Sequence, residues 1–277
     1  MTTARAHRER EEVPHREREE VTRTDEEPPK TVLGKVGLIL GAFRDNDFSL
    51  SLTELTTRTG VAKATVHRLC QELVAGELLE REGSHYRLGL QLYEIGLRAP
   101  RQRTLREAAR PVIENLAQAL DNAVTLSVPN ASELLCIENV GGHRNRARSS
   151  LGGRHIQLHS TAAGKLTLAM LPDQYPLPAV VPLMRRRTPR TLTAAQLPDE
   201  LVRIREQGYA TEIEEHRPGY LAVAVPVRGA DHPYAGALSV VAPTAGSNIA
   251  RMLVALTTAS HTITSRLTVF EAYRAPL

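Results

Sequence analysis

Residues 50–88 read LSLTELTTRTGVAKATVHRLCQELVAGELLEREGSHYRL, and this stretch carries the start and stop signals of two short helices. Ser51 is a residue type that accepts a hydrogen bond at a helix N-cap, which places a first helix directly after it. Gly60 ends that helix, because a residue without a Cβ takes the left-handed conformation at little cost. A second helix is expected over residues 62–75, and Gly76 ends it. The stretch predicts two helices joined by a tight turn.

The end of the same stretch predicts a β-hairpin. Residues 78–81 and 85–88 have the composition of short strands, and the Glu-Gly-Ser sequence at residues 82–84 is a turn between them. Helix, turn, helix and hairpin in this order are the pattern of a winged helix-turn-helix. The alternative is a small helical pair packed on a hairpin, with no nucleic acid involved.

The second helix has one apolar face and one face of small and polar side chains. Its apolar residues recur at helical spacing: Val66, Leu69, Cys70, Leu73 and Val74. Its other face consists of Lys63, Ala64, Thr65, His67, Arg68 and Gln71. Side chains of this kind reach phosphates and base edges in a DNA groove. With two arginines of the wing included, the predicted DNA-binding residues are Lys63, Thr65, His67, Arg68, Arg81 and Arg87.

Length and composition narrow the class of protein. The chain has 277 residues, of which 42% are hydrophobic, and this suits two domains with ordinary cores. It has no run of about 18 apolar residues, so no membrane partner is expected. Its charged N-terminus lacks the apolar core of a signal peptide, which leaves the cytoplasm as the expected compartment. Cys70 and Cys136 are interpreted as reduced core residues.

The positive charge of the chain is unevenly distributed. A sequence pI of about 9.3 suggests a polyanionic partner. However, residues 31–92 have seven Lys and Arg against seven Asp and Glu, whereas residues 93–110 have five against two. The winged domain is therefore neutral overall. Its DNA binding has to depend on where the cations of the second helix and the wing point.

Two further segments complete the N-terminal part. Residues 1–29 are a mixed-charge tract with almost no apolar residues, so they are expected to be disordered; a short Arg/Glu helix or an arm that touches DNA are the alternatives. Residues 31–43 are strongly apolar and predict the first helix of the winged domain, followed by a polar turn at residues 45–47. The winged domain is assigned to residues 30–92.

The arginine-rich residues 93–110 are predicted to form a linker helix, and Pro100 is expected to interrupt the apolar segment before it. The arginines either follow DNA phosphates or form a solvated face. Residues 111–277 alternate strand and helix signals, which indicates an α+β domain with a mostly antiparallel sheet flanked by helices. Strands are predicted at residues 123–130, 133–140, about 146–151, 221–227 and 235–241, with a turn at 231–233, and helices at residues 160–171, 193–207 (disturbed near Pro198) and 249–270, with residues 172–182 irregular.

The sequence has none of the common catalytic motifs, neither G-x-S-x-G nor H-E-x-x-H nor G-x-G-x-x-G, so neither an enzyme nor a cofactor is expected. The GKL at residues 164–166 is not the end of a P-loop, because Leu166 stands where Ser or Thr must bind magnesium. The cluster of Glu212, Glu214, Glu215 and His216 is interpreted as a solvated loop or pocket rim rather than as a metal site. Ala162 and Ala163 open a helix, which indicates either a carboxylate site at its free amides or tight helix packing.

The chain resembles the IclR family of bacterial transcriptional regulators over residues 31–270. The resemblance is carried by VAKATVHRLCQELVAGELLEREGSHYRLG, LREAARPVIENLA, GGRHIQLHSTAAGKLTLAML, RTLTAAQLPDELVRIREQGYATEIEEHRPGYLAVAVPV and GALSVVAPT, in the family's order. It implies a winged-helix DNA-binding domain, a linker helix and a GAF-like effector-binding domain, assembled as homodimers or homotetramers. Members of the family repress or activate operons, often those for catabolism of small organic acids or aromatics.

Positions that match the family's motifs imply an effector pocket. Its residues would be Ile156, Ala162, Ala163, Glu212, Tyr220, Ala222, Ser239 and Val241. Ala222 and Val241 stand where the family can have a thiol and a hydroxyl, and Tyr220 is bulky with one polar atom. This departure favours an effector that is larger and less polar than glyoxylate or pyruvate.

The sequence therefore predicts a ligand-responsive transcription factor, a repressor rather than an activator. Its partners would be double-stranded promoter DNA and a small organic effector. One alternative is an enzyme with its catalytic domain in residues 111–277 and a winged domain that only mediates protein contacts. Another is an architectural DNA-binding protein that no metabolite controls.

Overall fold

The computed structural model describes residues 29–44, 47–141, 155–229 and 233–274. They form two compact units that divide between Leu88 and Gly89. In chain order the elements are α1 (Val32–Gly41), β1 (Leu50–Ser51), α2 (Leu52–Thr59), α3 (Lys63–Ala75), β2 (Leu79–Glu82), β3 (His85–Leu88), α4 (Leu90–Leu97), α5 (Pro100–Leu120), β4 (Ala123–Asn130), β5 (Glu133–Val140), β6 (His155–Ile156), α6 (Ala162–Met170), α7 (Leu177–Val180) with a 3-10 turn (Val181–Leu183), α8 (Leu197–Gln207), β7 (Ala210–Ile213), β8 (Tyr220–Val227), β9 (Gly236–Pro243) and α9 (Ile249–Arg274). These elements confirm the α+β class.

The N-terminal unit confirms the predicted helix-turn-helix and wing. The Ser51 hydroxyl accepts a hydrogen bond from the Glu54 amide (3.2 Å), and the Glu54 carboxylate accepts one from the Ser51 amide (2.8 Å), so α2 begins with a complete capping box. Gly60 ends α2 with a φ of 66°. The apolar faces of the three helices then meet in one core, in which Leu55, Leu69 and Cys70 are completely buried.

Strand β1 was not predicted. Leu50 and Ser51 pair with Tyr86 and His85 of β3, so the sheet of this unit has the order β1-β3-β2. The two residues are too few to produce an alternating sequence pattern. Strand β1 ties the start of the helix-turn-helix to the wing.

The arginine-rich segment differs from its prediction. Helix α4 ends at Leu97, as expected from Pro100, and Pro100 itself occupies the first turn of α5, where its missing N–H is not needed. Helix α5 continues through Pro111 to Leu120, and its buried residues include Leu105, Ala108 and Ile113. Residues 93–110 thus comprise the end of α4, a break at residues 98–99 and the first half of α5. Neither predicted boundary of the linker coincides with the end of a helix.

The C-terminal unit is built on an antiparallel sheet whose described strands have the order β6-β5-β4-β9-β8-β7. Strands β4, β5, β8 and β9 were predicted, whereas the short β6 and β7 at the two edges were not. One face of the sheet packs against α5 and α9 through a core that includes Val124, Val223 and Leu238. Helix α6 packs on the other face, and α8 packs against α6. Helix α8 begins at Leu197, next to Pro198, so the proline lies in its first turn rather than disturbing it.

Some predictions fall wholly or partly outside the described residues: the tail over residues 1–28, the strand near residues 146–151, and the turns at residues 45–47 and 231–233. In the part of the chain that the structure describes, no helix is both long and apolar enough to cross a membrane. Both cysteines are buried and reduced, as predicted, and burial raises the pKa of the Cys70 thiol to about 11.

Candidate functional sites

Helix α3 presents the predicted polar face to the surface of the N-terminal unit. Lys63 and Arg68 are exposed, and Thr65 and His67 are half-buried. On the opposite side, Val66, Leu69, Cys70 and Leu73 are buried in the core, as expected from their spacing, and Val74 is partly buried. No side chain caps the start of α3, and its first turn contains no acidic residue. The start of the helix thus combines the positive end of a helix dipole with the Lys63 ammonium.

Arg68 forms an ion pair with a residue of its own helix. Its Nη1 donates to Oε1 of Glu72, one turn further along α3. Both side chains are more than half exposed, at 56% and 57%, so solvent screens the pair and it breaks at little cost. Arg68 can therefore exchange Glu72 for another acceptor.

The two arginines of the wing differ in their surroundings. Arg81 donates from Nε to the Gly83 carbonyl at 3.0 Å, across the hairpin turn. Arg87 donates from Nε to Oε2 of Glu80 at 2.7 Å, and Glu82 lies 3.8 Å from its Nη1. The hydrogen bond and the charge of Glu80 raise the pKa of Arg87. Two carboxylates thus offset the charge of Arg87, whereas Arg81 is held by a neutral carbonyl.

The predicted effector residues of β7, β8 and β9 share one face of the C-terminal sheet. Glu212, Ala222 and Val241 are direct partners in the register. Ser239 precedes Val241 by two residues and Tyr220 precedes Ala222 by two, so their side chains point to the same face. Ala222 and Ser239 are buried, while Val241 is 37% exposed. The strands therefore bring these five residues together as one surface.

Ile156 lies on the same face but at the other edge of the sheet. It pairs with Leu134 of β5, and both residues pack with the core that also contains Ala222. Four described strands separate β6 from β7. The structure therefore does not place Ile156 beside Glu212.

Ala162 and Ala163 open helix α6, and both are buried. The next residue, Gly164, shows how closely the helix approaches the preceding loop: a Cβ there would lie 2.3 Å from the carbonyl oxygens of both Gln157 and Leu158. The interpretation of tight helix packing is therefore confirmed for this turn. A carboxylate site at its free amides stays a prediction.

Glu212 is a buried carboxyl on the shared face. Its Oε2 accepts hydrogen bonds from the amides of Glu215 (3.0 Å) and His216 (3.4 Å). Burial raises the pKa of Glu212 to about 7, and the two amides only partly offset this effect. Near neutral pH the group is therefore divided between its acid and its carboxylate forms.

Lys165, which was not predicted as a site residue, lies beside this acidic segment. It is completely buried, and its Nζ donates to Oε1 of Glu215 (2.6 Å) and Oε1 of Glu200 (3.0 Å). Burial raises the pKa of Glu215, against the opposing effect of Lys165. A single Lys inside the otherwise apolar stretch AAGKLTLAM was the signal for such a pair, since a lysine is almost never buried without a partner.

Two members of the acidic cluster, Glu212 in β7 and Glu215 after it, are not solvated, so the interpretation as a solvated loop was wrong for them. A pocket rim stays a prediction. Glu212 and Glu215 are 4% and 9% exposed. His216 shares a hydrogen bond with the Ser160 hydroxyl through Nδ1 (3.2 Å), and Glu214 faces Arg190 at 3.4 Å. Among the described residues, no group of three His, Cys, Asp or Glu is placed to hold a metal ion. The cluster is instead part of the packing of α6 against the sheet.

The chain matches two protein-family models and is similar to several known proteins. The model of the bacterial transcriptional regulator IclR C-terminal domain matches residues 98–265, and that of the IclR helix-turn-helix domain matches residues 32–83. The HTH-type transcriptional regulator XynR of Escherichia coli is 30% identical over 206 residues, which are 73% of this chain and 81% of XynR. The transcriptional repressor IclR of the same organism is 26% identical over 197 residues, 67% and 70% of the two chains.

Two solved structures share the fold of both units. An IclR homologue from Microbacterium hydrocarbonoxydans, crystallised with 4-hydroxybenzoate, has a TM-score of 0.76 at 24% identity and covers 86% of this chain and 99% of its own. An IclR-type transcriptional regulator from Silicibacter sp. TM1040 has a TM-score of 0.72 at 29% identity and covers 85% and 95%. XynR, the repressor IclR and the Silicibacter protein are named as transcriptional regulators and not as enzymes.

Proposed function

The chain belongs to the IclR family of bacterial transcriptional regulators, and we propose that it acts in the cytoplasm as a repressor controlled by a small organic effector. It is a DNA-binding regulator and not an enzyme, as its family shows. The observation that carries the proposal is the exposed polar face of α3, presented by a rigid helix-turn-helix beside a wing. A helix of this kind enters the major groove with its N-terminal residues towards the bases.

Different segments of the chain would have different roles. We propose a tail (residues 1–29), a winged DNA-binding domain (30–92), a linker helix (93–110) and a GAF-like domain for effector binding and oligomerisation (111–277). In a homodimer or homotetramer, two winged domains would engage two half-sites of a promoter operator. Phosphate contacts fix the register of such a complex, and base contacts specify the sequence.

Helix α3 would be the reading helix, the helix that contacts the bases. Its exposed cations are Lys63 and Arg68, and Thr65 and His67 lie between them in the chain. Arg68 would leave Glu72 and donate to a guanine edge, while Lys63 would contact a phosphate or a base. Arg81 and Arg87 of the wing would contact the backbone. Of these two, Arg87 contributes less, because Glu80 and Glu82 already offset its charge.

The effector would lie on the sheet face formed by Glu212, Tyr220, Ala222, Ser239 and Val241, next to the start of α6. The apolar side chains of Ala222 and Val241 on this face favour a ligand larger and less polar than a two- or three-carbon acid. The Microbacterium homologue with its bound 4-hydroxybenzoate supports a ligand of this size. The Tyr220 ring is already covered on one side by Arg217, whose guanidinium lies 4.4 Å from the ring centre.

Effector binding would release DNA only if the effector binds one arrangement of the oligomer more tightly than the other. The ligand would then shift the spacing of the winged domains. The effector would change the affinity for DNA by the same factor by which DNA changes the affinity for the effector. Expression from the cognate promoter would rise when the effector is added.

The experiment measures binding of the full chain to its own upstream promoter DNA by fluorescence anisotropy. Arg68→Ala should weaken specific binding by about 1–3 kcal/mol, whereas Arg251→Ala, at an exposed arginine of α9, should have no effect. Addition of 4-hydroxybenzoate and other aromatic acids tests the control by an effector. Undiminished specific binding by Arg68→Ala would contradict the assignment of α3, and binding that no small organic compound alters would favour an architectural protein.

A further inference from the structure

A groove on the surface of the C-terminal unit lies outside the predicted effector residues. Its volume is about 600 Å³, within the range of small-molecule sites. Its lining includes His159, Met184, Arg185, Arg186, Arg190 and Leu192. Three of these side chains are arginines, and none is an acid. The groove is therefore cationic with an apolar part.

Two of the arginines are held by neutral acceptors. Arg185 donates from Nη1 to the carbonyls of Pro182 (3.1 Å) and Met184 (3.0 Å). Arg186 donates to the carbonyls of Thr188 (3.3 Å) and Pro189 (3.4 Å). Carbonyl groups fix the orientation of a guanidinium without neutralising its charge. The Nε and Nη2 edge of Arg185, the edge that matches a carboxylate or phosphate, meets no acceptor among the described residues.

Carboxylates near the groove are too few to balance its charge. Arg187 follows the two groove arginines in the chain, and the described residues offer its side chain no ion pair. Arg190 faces Glu214 at 3.4 Å. Residues 185–190 thus contain four arginines, and one of the four forms an ion pair with a glutamate among the described residues. An anion would gain the attraction of charges that the protein leaves unpaired.

The segment that carries these arginines is anchored rather than free. The Thr191 hydroxyl donates to the Glu215 carbonyl (2.7 Å) and accepts from the amide of Thr188 (2.9 Å). The Thr188 hydroxyl donates to the Glu214 carbonyl (2.5 Å). At the base of the groove, His159 shares hydrogen bonds with the backbone of Arg185. A site with fixed donors loses little conformational entropy when a ligand binds.

We propose that this groove is a second ligand site, for a small organic anion that carries two acidic groups, carboxylate or phosphate. One acidic group would face Arg185 and the other Arg186, while Met184 and Leu192 would contact the carbon skeleton between them. The predicted effector face is less suited to a ligand with two acidic groups, because it contains the buried carboxyl of Glu212, whereas the lining of the groove contains no acid. A concave groove with an apolar part also suits a small molecule better than it suits a DNA backbone, which is contacted along extended basic surfaces.

The test titrates the full-length protein with succinate and, separately, with inorganic pyrophosphate, by calorimetry at constant ionic strength. The double variant Arg185→Gln/Arg186→Gln removes the groove charges. The matched control is Arg251→Gln/Arg266→Gln, which removes two exposed charges of α9 that have no ion pair among the described residues. Circular dichroism melting curves show whether each variant is folded.

We expect the wild type and the control to bind at least one of the two probes, and the groove variant to bind it at least about tenfold more weakly, since charge-assisted hydrogen bonds are lost. Binding of succinate alone would identify a dicarboxylate site, and binding of pyrophosphate alone would identify a phosphate site. Equal binding by the groove variant, or no binding of either probe by the folded wild type, would overturn the proposal. The same variant is titrated with non-specific duplex DNA by fluorescence anisotropy. If it lost DNA binding but kept its binding of the probes, the groove would be a nucleic-acid contact and the proposal would fail.

Discussion

The Nζ of Lys165 lies 2.6 Å from Oε1 of Glu215 in the interior of the C-terminal unit, where Lys165 is completely buried. Glu200 provides a second carboxylate at 3.0 Å, and the other oxygen of Glu215 is buried without a partner among the described residues. The ion pair joins α6 to the turn after β7. It therefore fixes the start of α6 against the sheet face that we propose for the effector.

Replacement of Lys165 should be strongly destabilising. Lys165→Met keeps the length of the side chain but leaves Glu215 and Glu200 without their cation, and removing one partner of a buried pair costs about 3–5 kcal/mol. Urea unfolding followed by circular dichroism measures the change. The control is Arg203→Met, which breaks an ion pair with Glu200 in which the arginine is 68% exposed, and should cost at most about 1 kcal/mol. Equal stability of the two variants would show that the buried pair does not hold α6.

Glycine is required at residue 164 by the backbone opposite. Gly164→Ala places a Cβ 2.3 Å from two carbonyl oxygens, so α6 has to shift, at a cost of about 1–3 kcal/mol or more. Gly96→Ala is the matched control in the same unit, because an added Cβ at Gly96, inside α4, meets nothing within 4 Å. That variant should be neutral or more stable by about 0.5–1 kcal/mol. Thermal melting measures the stability of both variants. A Gly164→Ala protein as stable as Gly96→Ala would contradict the packing described for α6.

The raised pKa of Glu212 predicts a pH-dependent stability. Burial raises this pKa from 4.5 to about 7, so the contribution of the group is complete below pH 4.5 and is lost as the pH rises through 7. Glu212→Gln cannot ionise, and its amide oxygen can still accept from the amides of residues 215 and 216. Between about pH 4.5 and about pH 8, the wild type should lose roughly 3 kcal/mol of unfolding free energy relative to this variant.

Unfolding free energies over this pH range provide the measurement. Glu206→Gln is the control, because its exposed carboxylate on α8 is solvated in the folded and the unfolded chain, and its curve should run parallel to that of the wild type. A Glu212→Gln curve that also runs parallel to the wild type would mean that Glu212 is not desolvated.

The winged unit could be predicted from the sequence because each of its signals is local. Ser51 and Glu54 form the capping box, Gly60 adopts the positive φ, and Val66 and Leu69 repeat at helical spacing. What was missed depends on pairing between distant residues. The two-residue strand β1 exists only because Leu50 meets Tyr86, and the edge strand β7 only because it lies beside β8.

The proposed effector face was less predictable for the same reason. The alternation along β8 and β9 was visible in the sequence, so the shared face of Ala222 and Val241 follows from it. The burial of Glu212 and Glu215 does not, because their neighbours Glu214 and His216 give the segment the composition of a solvated loop. The cation that pairs with Glu215 is Lys165, 50 residues earlier in the chain.

The surroundings of the cations on the winged unit predict unequal contributions to DNA binding. Lys63 stands at the start of α3 with no ion pair among the described residues, whereas Glu80 and Glu82 offset the charge of Arg87. A cation that neutralises a phosphate releases counterions, so its loss reduces the slope of log K against log salt by about 1. Lys63→Gln should show this full reduction with any duplex DNA, and Arg87→Gln less than half of it. Anisotropy titrations over a range of salt concentrations measure both slopes, with Arg251→Gln as a control that should leave the slope unchanged. If Arg87→Gln reduced the slope as much as Lys63→Gln, Arg87 would have to leave both glutamates on binding, and the wing would then contact the DNA backbone as closely as the reading helix.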